Sequence, residues 1–63
     1  MDIEKIYMQK GNYTLLKLAN VSYQPYVVAY KFNKSDNTWN QGHYFEIYGE
    51  ARLFFREKTS ELD

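Results

Sequence analysis

Sixty-three residues allow one small domain, 1–63, because chains split into separate cores only at much greater length. The chain is 44% hydrophobic and 19% aromatic, and its 8 Lys+Arg balance 8 Asp+Glu, which excludes a disordered polyelectrolyte and disfavours a nonspecific binder of nucleic acid or anionic membrane. With no cysteine and one histidine it has neither a disulfide framework nor a cysteine zinc site, and it needs no cofactor to be written down as a fold.

No hydrophobic run reaches the length of a membrane span or secretory signal, so the expected compartment is the cytoplasm. The N-terminal element, Met1 to Lys10, supports two readings. Ile3, Ile6 and Tyr7 have the spacing of helical turns, whereas Ile6 and Met8 fit an alternating strand. Gly11-Asn12 then marks a turn, since both residues tolerate positive φ.

Tyr13 to Ala19 is a predicted strand with Leu16 and Leu18 on one face and Leu15 and Lys17 on the other. Asn20 to Pro25 is a loop in which Pro25 should force Gln24 into an extended conformation. The run Tyr26 to Phe32 is the strongest β signal, with Tyr26, Val28, Tyr30 and Phe32 alternating against Val27, Ala29 and Lys31.

Asn33 to Thr38 is a polar hairpin loop, and Asn37 is the natural left-handed residue to close it. The strand Trp39 to Phe45 follows, where Gly42 implies a bulge or a close backbone approach. From Ile47 to Lys58 the period becomes helical, with Glu50 early and Arg56 and Lys58 late, as the helix dipole favours. Thr59 to Asp63 reads as a fraying tail.

The fold class is therefore α+β: a three-stranded antiparallel meander with a C-terminal helix packed on one face (β-β-β-α), plus a short N-terminal element. Its expected core is Leu16, Leu18, Val28, Phe32, Phe45, Ala51, Phe54 and Phe55.

The strand Tyr26-Val27-Val28-Ala29-Tyr30, the hairpin Asp36-Asn37-Thr38-Trp39, the strand Gln41-Gly42-His43-Tyr44-Phe45 and the helix ending Phe54-Phe55-Arg56-Glu57-Lys58 occur in that order. Together they resemble a family of small proteins carried by phages, plasmids and conjugative elements of Firmicutes. The similarity runs from Tyr13 to Lys58. This chain departs from the pattern at Asn37, where the family usually has glycine, and at Gly49, where a better helix former is common. The resemblance implies a fold and a mobile-element setting, and no active site.

His43 is the residue whose type titrates nearest neutral pH, but its strand neighbours offer no orienting carboxylate beside a nucleophile, so catalysis is not expected. A metal held by His43 with Asp36, Glu46 or Glu50 lacks the ligand spacing that would recommend it. Tyr13, Tyr26, Tyr30, Trp39 and Tyr44 are either core and edge packing or a stacking platform beside Lys17 and Lys31.

These features lead to a non-enzymatic protein-binding module of a mobile element, acting on a host protein, with anti-CRISPR-type inhibitors as one such class. Its candidate binding residues are Tyr26, Tyr30, Trp39 and His43, because binding is expected to rest on aromatic burial and strand alternation presents Tyr26 with Tyr30 and Trp39 with His43. The alternative is a small nucleic-acid-binding regulator using sheet aromatics and lysines. Self-association into a homodimer through a strand edge is a third route to function.

Overall fold

The computed structural model of the chain describes residues 2–60. Its elements are β1 (Ile3–Lys10), β2 (Tyr13–Leu18), β3 (Tyr26–Tyr30), β4 (Gln41–Phe45) and the helix α1 (Tyr48–Thr59). The strands form one antiparallel sheet in the order β1-β2-β3-β4.

The meander thus has four strands rather than three, because the N-terminal element is a strand. Its mixed periodicity has a structural cause. The register passes from Ile3↔Leu18 to Lys5↔Lys17 and from Ile6↔Leu16 to Met8↔Leu15, so Glu4 and Tyr7 are extra residues in β1. Each bulge resets the alternation, which puts Ile3 and Ile6 on one face and Tyr7 and Met8 on the other at spacings that imitate a helix.

Gly11, with φ 59°, turns β1 into β2. Between β2 and β3, Gln24 has φ 52° and is left-handed, not extended as proline alone would dictate. The loop must return the Pro25 carbonyl to the Leu18 N–H, which donates to it at 2.8 Å, and a right-handed Gln24 is blocked by the proline ring.

The third strand ends at Tyr30, two residues before the expected Phe32, because Lys31 adopts φ 57°. Phe32 leaves the alternation and packs against Trp39, with ring centroids 6.2 Å apart. A small hairpin follows, bridged by Asn33 and Thr38, and Asn37 has φ 56° as its type anticipates. Thr38 Oγ1 donates to Asp36 Oδ1 at 2.6 Å and the Ser35 N–H to Asn33 Oδ1 at 2.9 Å, which closes the loop. The last strand consequently starts at Gln41 and not at Trp39.

Cross-strand pairing defines two faces. On one lie Lys5, Lys17, Tyr26 and Phe45; Met8, Leu15, Val28 and His43; and Lys10, Tyr13, Tyr30 and Gln41. Helix α1 covers this face, burying Ala51 and Phe55 against Leu15 and Val28. Thr59 continues that i, i+4 stripe and is buried, its hydroxyl donating to the Phe55 carbonyl at 2.8 Å, so the helix runs one residue past the expected Lys58, while Ile47, expected to open it, is its N-cap. The expected tail at 61–63 lies outside the described residues.

The second face carries Ile3 and Leu18; Ile6, Leu16, Val27 and Tyr44; and Gln9, Thr14, Ala29 and Gly42. Leu16, Leu18, Val27 and Ala29 form a core of their own beneath Ile3, Phe32 and Trp39. Leu16 and Leu18 therefore belong to the opposite face from Val28, since it is Leu15 that pairs with Val28. Phe32, Phe45 and Phe54 are only half-buried and rim the two cores rather than filling them.

Candidate functional site

At the C-terminal end of α1 the helix face opens into a cleft of about 300 Å³ lined by Tyr13, Tyr30, Gln41, His43 and Lys58. Register builds it. Tyr13 and Tyr30 are cross-strand partners with ring centroids 5.2 Å apart, and Gln41 is the next partner of Tyr30. Phe54 supports the other wall: the imidazole of His43 lies 4.5 Å from its ring centroid and Lys58 Nζ 5.4 Å from it. Lys31 Nζ stands 5.6 Å from the Tyr30 ring.

Each lining side chain has a hydrogen-bonding group, and among the described residues no carboxylate lines the cleft. Phenol, amide and ammonium groups at this spacing suit an anion or a carbonyl-bearing segment. They do not make a catalytic set. Among the described residues His43 has a ring contact with Phe54 and no hydrogen bond or ion pair to orient it as a base. Also among the described residues, no three His, Cys, Asp or Glu side chains come together to hold a metal ion.

Tyr30 and His43 are thus brought together, while the other two candidate residues lie elsewhere. Tyr26 belongs to a cluster at the opposite end of the helix face, where Tyr48 sits 4.8 Å from Tyr7 and 5.7 Å from Tyr26. Lys17 approaches the Tyr26 ring at 5.8 Å and pairs with Glu4 at 3.2 Å. Burial first, and Tyr26 second, push the Tyr7 phenol up, and the hydrogen bond to Glu4 pushes Lys17 up.

Trp39 lies on the second face, over Gly42, where its indole Nε1 donates to the Tyr44 hydroxyl at 3.2 Å. The expectation of a bulge or a close backbone approach at Gly42 is thus corrected: the register with β3 is unbroken there, and the atoms that a β-carbon on the glycine would meet first belong to the Trp39 and Tyr44 side chains. Lys58 and Gln41 were not candidates from sequence, because only the pairing register and the path of α1 place them beside Tyr30 and His43.

No protein family, curated protein or solved structure matches this chain. No helix among the described residues is long and apolar enough to cross a membrane.

Proposed function

We propose that this chain is a non-enzymatic protein-binding module of a mobile genetic element, which acts by covering a surface of a host protein, as anti-CRISPR-type inhibitors do. The observation that carries the reading is the second sheet face. None of its paired positions, from Ile3 and Ile6 to Gly42 and Tyr44, holds a charged side chain, whereas Lys5, Lys10 and Lys17 all fall on the helix face. Among the described residues no helix covers it, and its margins Ile6 and Tyr44 remain 41% and 40% exposed. Leu16, Leu18, Val27 and Ala29 are already buried beneath Ile3, Phe32 and Trp39, so what the face offers a partner is this apolar and aromatic cover with Ile6 and Tyr44 at its margins, a composition suited to a protein interface and, without lysine or arginine at the paired positions, poor in the charge that phosphate binding draws on. The mobile-element setting is supported by the resemblance of residues Tyr13 to Lys58.

The test places a photo-crosslinking residue at Ile6, on this face, and a control at Arg52, on the exposed side of α1, in a Firmicute host lysate. Adducts to a protein from position 6 and not from position 52 are expected. Equal labelling from both positions, or none, removes the reading.

A second reading, a nucleic-acid-binding regulator, is favoured by the helix-side cleft, where the Tyr13 and Tyr30 rings lie beside Lys31 and Lys58. Mobility-shift titrations with single- and double-stranded DNA and RNA decide between them. Micromolar binding that weakens steeply with salt would select this alternative.

A further inference from the structure

The two edges of the sheet are built differently. Along β1 the bulges at Glu4 and Tyr7 interrupt the pairing line, and Glu4, Lys5 and Lys10 add charge, which are standard means of stopping a further strand from adding. Strand β4, Gln41–Phe45, has no charge, no proline and an unbroken register with β3. One edge is blunted and, among the described residues, the other pairs with no further strand.

The hydrogen-bond phase shows which groups the bare edge presents. The Leu18 N–H donates to Pro25 O at 2.8 Å and the Lys31 N–H to Asn12 O at 2.7 Å, so residues 25, 27, 29 and 31 of the third strand face β2. By the alternation of an antiparallel ladder, Tyr26, Val28 and Tyr30 face β4 and bond with Phe45, His43 and Gln41. The N–H and C=O groups of Gly42 and Tyr44 then point away from the sheet.

The geometry points to antiparallel pairing of β4 with β4 of a second copy of this chain, about a two-fold axis at His43, which joins two sheets into one of eight strands. With outward groups at 42 and 44, this register sets Gly42 opposite Tyr44 of the second copy and Tyr44 opposite its Gly42. Each strand contributes all five residues, and four backbone hydrogen bonds form. Side chains agree with it. The two His43 side chains meet at a non-hydrogen-bonded position, where Cα atoms approach to about 4.5 Å and side chains interact most closely. A five-residue edge buries less than a standard interface, so the dimer is weak and concentration-dependent. The proposal is independent of the host-protein reading, whose surface lies on the sheet face.

Sedimentation equilibrium from low micromolar to low millimolar concentration should show the 7.6 kDa chain passing to a dimer. His43→Lys and His43→Glu should each weaken the dimer by about fivefold or more through like charges at the axis, and an equimolar mixture of the two should restore it. Hydrogen exchange on the unaltered chain supplies a readout that needs no variant: the Gly42 and Tyr44 amides should slow as concentration rises, while amides of β1 do not. A monomer throughout the range, variants that dimerise like the parent, a mixture that does not recover, or protection at β1 in place of β4 would each overturn the proposal.

Discussion

The indole of Trp39 occupies the space where residue 42 would carry a side chain. A β-carbon on Gly42 would meet Trp39 Nε1 at 2.6 Å and Cδ1 at 3.1 Å, and Tyr44 Cε1 at 3.3 Å. The indole is held from its other side by Phe32 and by the bond to Tyr44, so it cannot swing away freely. Gly42→Ala should therefore destabilise the domain by about 1–3 kcal/mol despite the better strand propensity of alanine. In a Trp39→Leu background the same substitution should become neutral or stabilising. A thermal-melting double-mutant cycle with no coupling between the two positions would contradict this packing.

Among the described residues the Thr14 hydroxyl is buried on the second face without a hydrogen-bond partner. Valine has nearly the same shape and the same β-branch, and it removes an unpaired polar group. Thr14→Val should stabilise by about 1 kcal/mol, which for a domain of this size raises the melting temperature by about 4–8 °C. A lower melting temperature would show that the hydroxyl is satisfied in solution.

Adjacent phenylalanines in α1 should behave differently. Phe55 is 5% exposed and packs with Leu15, Val28 and Ala51, so Phe55→Ala should cost about 3–5 kcal/mol and unfold most of the population at ambient temperature. Phe54 is half-buried against His43 and Phe45, and Phe54→Ala should cost at most about 2 kcal/mol. Urea denaturation of both variants checks the order, and a greater loss at Phe54 would mean that α1 is rotated on the sheet.

Alkaline stability should report the cluster at the start of α1. The folded chain holds the Tyr7 phenol above its ordinary value of 10.0, through burial and then Tyr26, and holds Lys17 above 10.5, through Glu4. Both groups keep their protons longer folded than unfolded, so their contribution is complete below about pH 10 and is lost as pH rises through the folded values. Tyr7→Phe removes the phenol's share and should flatten the decline in urea midpoint above pH 10. Parallel declines in the two proteins would exclude the effect.

Local chemistry made much of the architecture legible. The alternation of Tyr26 to Tyr30, the helical spacing of Ala51 and Phe55, and the left-handed tendency of Asn37 are properties of a few consecutive residues, and the folded chain keeps each of them. Bulges and register belong to a different level. The N-terminal strand is disguised by two extra residues whose presence is defined only by the partner strand, and a left-handed Lys31 carries Phe32 to the face where Trp39 lies. The bulges blur the period of the N-terminal element into two readings, and the turn at Lys31 leaves no periodic trace. The candidate site divides in the same way. Aromatic identity singled out Tyr26, Tyr30, Trp39 and His43, yet pairing separates them into a tyrosine cluster, a cleft and an opposite face, and it brings Gln41 and Lys58 to the cleft. The sequence by itself determined three of the four strands, the helix and the neutral, aromatic composition, because those depend on near neighbours and residue content. Only the tertiary structure decided which residues share a face, because a shift of one residue in register carries every side chain of a strand to the other side of the sheet.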